Sequence, residues 1–258
     1  MKERYNILDW LRAIALLNMI AYHLMWDLVY IYNVKIPFMY PTSTAGVFYQ
    51  QAICWTFILL SGFCWSLSRN HLKRGLIVTG GSIIITAVTL IAMPQNKVIF
   101  GVLSLIGASM LLMIPLNMLY QLILKRCKLV PRVLFNTFGI LISFGLFLMF
   151  KNVNYGTLSF FGKEIVVSSS LYKNYFTSFI GFKHPEFFST DYFSILPWFF
   201  LFQTGYFLFN IFKDLNLLRF LKGPKIMPLE FIGRNSLIIY MIHQPVIYGI
   251  LEVVFSLF

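Results

Sequence analysis

Leu8–Leu28, LDWLRAIALLNMIAYHLMWDL, is apolar over nearly its whole length yet carries Asp9, Arg12, His23 and Asp27. A helix needs about 20 apolar residues to cross the hydrocarbon core of a bilayer, and this stretch has that length. An ionisable group inside such a helix costs about 2.5–3.5 kcal/mol or more, so each of the four needs a partner or a purpose. The run begins almost at the N-terminus, but it holds charges, is longer than a signal-peptide core and lacks a small-residue cleavage site. It therefore reads as a retained membrane helix.

The rest of the chain agrees. Of 258 residues, 59% are hydrophobic, 18% aromatic and only 12% charged, with a mean hydropathy of +0.76; a soluble domain is about 25% charged. Long apolar runs outnumber alternating, strand-like ones, which favours helices over a β-barrel. Charged or Pro/Gly-containing breaks divide the chain into seven spans near 8–30, 47–68, 75–93, 98–123, 134–150, 192–212 and 235–257. The expectation is one all-α, polytopic transmembrane helical bundle over residues 1–258. Cys54, Cys64 and Cys127 show no metal-ligand spacing, so neither a disulfide nor a metal is expected.

With the N-terminus inside, fourteen of the 21 Lys and Arg fall in inner segments and six in outer ones, Arg12 standing apart within the first span. The positive-inside rule then places the N-terminus in the cytoplasm. The same distribution accounts for the net charge of +12 through anionic lipid headgroups, so nucleic-acid binding is not required. The polar segment 151–191 reads as an outer loop or lid, and 213–234 as a connection with a short amphipathic helix that Pro224 and Pro228 stop.

At about 100° per residue, with Asp9 at zero, Arg12 falls near −60°, His23 near −40° and Asp27 near 0°, one narrow stripe. Arg12 and His23 are roughly 16 Å apart along the axis, so the Asp9/Arg12 pair lies near the membrane surface and His23 deep within it. Asp9 and Arg12 have the spacing of an ion pair, and Asp27 stands one turn from His23, where a carboxylate can orient an imidazole. In the last span, Arg234 and Asn235 sit at the inner end, with His243 and Gln244 deeper and beside Pro245. His243 there is open to two readings, a ligand contact or a polar group for carbonyls that the proline frees. Gly101, Ser104, Gly107 and Ser109 concentrate small residues in one span, which permits close helix approach. His71 and His184 read as loop residues without a role.

Taken together, LDWLRAIALLNMIAYHLMWDL, LSGFCWSLSRNHLKRGL, FGVLSLIGASML, LPWFFLFQTGYFL and GRNSLIIYMIHQPV resemble, in order, the successive blocks of small prokaryotic membrane proteins grouped with the catalytic domain of heparan-alpha-glucosaminide N-acetyltransferase. The resemblance implies a transmembrane acetyltransferase of the plasma membrane. Acetyl-CoA, or another acyl-CoA, would be the co-substrate, and a sugar hydroxyl or amine of an envelope glycan or glycolipid the acceptor. It further implies Asp9 and Arg12 near the start of the acyl-donor path, His23 near the reacting centre, and Arg234, Asn235 and His243 as further lining. Joined to the reading of the residues, this makes His23 and Asp27 the candidate catalytic groups, Asp9, Arg12, Arg234 and Asn235 the candidate donor-binding groups, and Ser104, His243 and Gln244 the candidate substrate-binding groups. Membrane lipid is a further partner, and a homo-oligomer is left open. Many small relatives carry a histidine where this chain has Ser104, which implies altered chemistry or reliance on His23. The animal enzyme is much larger, so its glycosaminoglycan substrate does not carry over.

Two other classes compete for the same residues. A small proton-coupled transporter would use the stripe as a proton relay, although inverted repeats and paired broken helices are not evident. A non-catalytic scaffold would use the histidines for packing alone.

Overall fold

The computed structural model describes residues 4–36, 40–126 and 130–257. Among them are the seven expected spans: α1 (Asn6–Tyr30), α2 (Thr44–Trp65), α3 (His71–Ala92), α4 (Val102–Arg126), α5 (Arg132–Phe150), α7 (Ile195–Asp214) and α9 (Ser236–Ser256). Each is long and apolar enough to cross a membrane. Segment 151–194 adds a hairpin of β1 (Thr157–Phe160) and β2 (Lys163–Val166) and a short α6 (Tyr175–Ile180), while α8 (Met227–Arg234) precedes the last span. The fold is a polytopic, almost wholly helical one. Cys54 and Cys64 both lie on α2, and Cys127 falls outside the described residues.

The chain divides into two compact units, residues 1–60 with 217–258 and residues 61–216. The second is built from antiparallel helix pairs. Asn136 of α5 donates to Asp214 of α7 at 3.0 Å, and Phe147 meets Trp198 at 5.5 Å between ring centroids. The small residues of α4 do pack closely: a Cβ on Gly107 would come within 2.9 Å of the Thr79 backbone nitrogen in α3, and one on Gly62 of α2 would overlap the Phe202 carbonyl of α7. Without glycine at these two points the backbones would have to separate.

Segment 151–194 is tied down within this unit. Tyr172 Oη donates to the Val153 carbonyl and Tyr192 Oη to the Ser178 carbonyl, each at 2.6 Å. Ser189 Oγ accepts from the Ile99 amide, and Asp191 Oδ2 from the Val102 amide, so the segment caps α4. His71 opens α3 instead of lying in a loop, and its ring stacks on Trp65 at 3.9 Å. The Trp65 indole donates to the Met110 carbonyl, which fixes this stack against α4.

In the first unit, α1 and α9 run parallel, as first and seventh crossings must. Contacts ascend together along both helices: His23 meets His243, Asp27 meets Gln244, and Tyr32, just past α1, meets Glu252. Asn18, on the side of α1 away from the charged stripe, accepts a hydrogen bond from Tyr49 of α2 at 2.8 Å. The connection 213–234 departs from expectation. A 3-10 turn spans Leu217–Leu221, and the helix proper, α8, comes after Pro224 with Pro228 in its first turn. Proline lacks an amide hydrogen, and first-turn amides have no helical partner, so Pro228 starts a helix here instead of ending one.

Candidate functional site

Of the candidate catalytic, donor-path and substrate-lining residues, all but one belong to the first unit; Ser104 stands half-buried on α4 in the second. The first unit gathers them at two levels.

The lower level is an ion cluster where α1 and α8 begin and end. Asp9 is buried and accepts from Arg12 at 2.7 Å and from Arg4 at 2.6 Å, so the expected i,i+3 pair is formed and a second arginine joins it. Glu230 of α8, also buried, accepts from Arg234 at 3.0 Å and lies 3.9 Å from Arg4. Three guanidinium groups thus surround two carboxylates, leaving one positive charge in excess. Buried carboxylates at a membrane helix end are tolerable because each is paired in this way. The cluster depends on a close approach: a Cβ on Gly233 would overlap the Asp9 carbonyl, so only glycine lets α8 lie directly on α1. Arg4 and Glu230 escaped the sequence reading. The Glu230/Arg234 i,i+4 spacing was the available signal, hidden because α8 was not recognised as a helix. Asn235 donates to the Phe231 carbonyl and closes α8, an end-capping role.

The upper level holds His23, Asp27, His243 and Gln244. The rings of His23 and His243 lie 4.9 Å apart, inclined at 56°. His243 is buried, and its Nδ1 contacts the Tyr240 carbonyl. A carbonyl only accepts, so Nδ1 carries the hydrogen and the neutral ring presents its lone pair at Nε2. That Nε2 is buried without a hydrogen-bond partner. Asp27 is fully buried, and its two oxygens accept from Gln244 Nε2 at 3.1 and 3.3 Å. The expected Asp27 to His23 hydrogen bond is absent among the described residues; the carboxylate is held across the helix pair by α9. One turn of α1 brings the two side chains to the same face, but the amide of Gln244 reaches the carboxylate from the neighbouring helix.

The carbonyl that His243 contacts is that of Tyr240, whereas the one Pro245 leaves without its i+4 donor is that of Met241; His243 Nε2 stays without a partner. Chemically, two imidazoles side by side, one with a fixed tautomer and an unused lone pair, can accept a proton from a hydroxyl or amine and return it to a leaving group. Among the described residues no three His, Cys, Asp or Glu side chains converge as metal ligands.

From residue 4 to residue 245 the chain matches the family model described as heparan-alpha-glucosaminide N-acetyltransferase, catalytic. No curated protein and no solved structure matches it. The match takes in the ion cluster, both histidines, Asp27 and Gln244, and it runs across the first six spanning helices and into the middle of the last. The chain therefore belongs to the heparan-alpha-glucosaminide N-acetyltransferase catalytic-domain family and is a multi-pass membrane protein of the transferase class.

Proposed function

We propose that the protein is an acyl-CoA-dependent acetyltransferase of the plasma membrane, with its N-terminus in the cytoplasm, that acetylates a sugar hydroxyl or amine of an envelope glycan or glycolipid on the far side. The observation that carries this reading is the His23/His243 ring pair at 4.9 Å, with His243 Nε2 buried and unpartnered beside it. Family membership supports acetyl transfer, and the inward bias of basic residues supports a cytosolic donor.

A thioester is already activated, so the protein has three tasks: to place its carbonyl, to take the acceptor's proton and to stabilise the oxyanion. The arginine cluster of Arg4, Arg12 and Arg234 stands where donor phosphates would enter, with Asp9 and Glu230 holding the guanidinium groups in place. Arginine is suited to phosphate because its planar fork donates two parallel hydrogen bonds. About three turns deeper, His243 Nε2 or its neighbour His23 takes the proton as the acceptor oxygen or nitrogen bonds to the acetyl carbon. The carbon–sulfur bond then breaks, and the proton passes to the departing thiolate. Base catalysis of this kind is worth about 10²–10⁴-fold.

Calorimetric titration of acetyl-CoA and dephospho-CoA into purified protein tests the proposal, beside Arg12→Ala and His23→Ala variants confirmed to be folded. Saturable acetyl-CoA binding, weakened by Arg12→Ala and largely kept by His23→Ala, is the expected result. No binding at millimolar ligand to folded protein overturns it and leaves proton-coupled transport as the leading reading.

A further inference from the structure

The tip of the β1/β2 hairpin carries a costly residue. The two-residue turn is Phe161–Gly162, with φ of 45° at Phe161 and 79° at Gly162. A turn with both central φ positive ordinarily takes Asn-Gly, because a side chain in this region meets its own backbone. Phenylalanine is thus poorly suited to its backbone here, and its ring is also 94% exposed. Its neighbour Phe160 touches it edge-on at 4.8 Å and is itself half exposed. Two unfavourable choices at one residue point to something outside the chain that compensates.

The register of the hairpin says what kind of partner fits. Phe160 pairs with Lys163, Leu158 with Ile165, Ser159 with Glu164 and Thr157 with Val166. Side chains alternate between faces, so Leu158, Phe160 and Ile165 share one face with Lys163 at its tip, while Thr157, Ser159, Glu164 and Val166 occupy the other. Every residue of β2 is exposed, Val166 at 82%, and a two-stranded hairpin is marginal by itself in water. Position then selects the partner. The hairpin follows the membrane-spanning α5 after a single 3-10 turn, Val153–Tyr155, and β1 lies against α5. Lys151 and Lys163, both exposed, flank it on either side.

We infer that the β1/β2 hairpin is a membrane-interface anchor: Phe160 and Phe161 enter the headgroup–acyl boundary of the leaflet where α5 ends, and Lys151 and Lys163 meet anionic lipid phosphates. Aromatic rings favour that depth, and lysines reach from it to the headgroups. A glycan platform would set hydrogen-bonding side chains around the rings; the neighbours on this face are Leu158 and Ile165, which suit acyl chains.

The test places an environment-sensitive NBD label on Phe161→Cys, in a chain whose three native cysteines are replaced by serine, within nanodiscs of phosphatidylcholine and phosphatidylglycerol. Blue-shifted emission, quenching by lipids with a shallow doxyl group, and iodide quenching severalfold weaker than for an NBD–glutathione adduct are expected. Water-like emission with full iodide quenching overturns the inference. A blue shift without doxyl quenching overturns it too, because the ring is then covered by protein. Hydroxyl-radical footprinting of the unsubstituted chain in the same nanodiscs guards against a misfolded variant: protection of Phe160 and Phe161 supports the anchor, and oxidation at the rate of fully hydrated phenylalanine overturns it.

Discussion

Gln244 holds both oxygens of Asp27, 217 residues away in sequence, with one amide nitrogen at 3.1 and 3.3 Å across two parallel helices. A fully buried carboxylate with one donor is sensitive to the loss of that donor. Gln244→Leu should lower stability by about 1–3 kcal/mol, the usual cost of leaving a buried polar group unsatisfied. Gln244→Glu should be worse, since it sets two carboxylates face to face. Thermal unfolding in detergent reads both, and a Gln244→Leu protein as stable as wild type would show that Asp27 finds another partner.

His243→Ala should reduce acetyl transfer by about 10²-fold or more while leaving acetyl-CoA affinity nearly unchanged, as expected of a group that moves a proton without holding the donor. Kinetics beside calorimetry separates the two effects. A variant that loses donor binding while remaining folded would make His243 a donor-binding residue instead.

Gly233→Ala should destabilise the protein by about 1–3 kcal/mol, because a new methyl group meets backbone and cannot be accommodated by a rotamer change. Acetyl-CoA affinity should fall with it, since α8 carries Glu230 and Arg234 away from Asp9. Gly249→Ala in α9 is the control: nothing lies within 4 Å of its added Cβ, so it should be neutral or gain up to about 1 kcal/mol from helix propensity. Equal unfolding temperatures for the two variants would refute the close approach at Asp9.

Tyr192, in the segment before α7, is half-buried and donates to the Ser178 carbonyl at 2.6 Å. Burial pushes its phenol up to about 12, opposed by a hydrogen bond with Ser194 and reinforced by Tyr172. A phenol raised in the folded state gives stability that is complete below pH 10 and lost as the pH rises through about 12. Tyr192→Phe should therefore lower stability by about 1 kcal/mol near neutrality and flatten part of the decline between pH 10 and 12. Denaturant unfolding across that range measures it; an unchanged alkaline slope would mean that Tyr192 ionises as freely as an exposed tyrosine.

Hydrophobic run lengths, with the charged or Pro/Gly-containing breaks between them, determined the seven spans, because bilayer thickness sets the length of every crossing helix whatever it packs against. Helical periodicity determined the Asp9, Arg12, His23 and Asp27 stripe and the Asp9/Arg12 pair, since residues three and four apart are neighbours in any helix. Gly107 of α4 was legible as a close contact because small residues cluster around it in the sequence. Tertiary structure decided the rest. Which helix lies beside α1 is invisible in spacing, so the His23/His243 pair, the capture of Asp27 by Gln244 and the entry of Arg4 and Glu230 into the ion cluster appear only when α1, α8 and α9 come together. Pro228 shows the limit at short range: proline ends one helix and begins another with the same side chain, and only the hydrogen-bonding fate of its neighbours tells which.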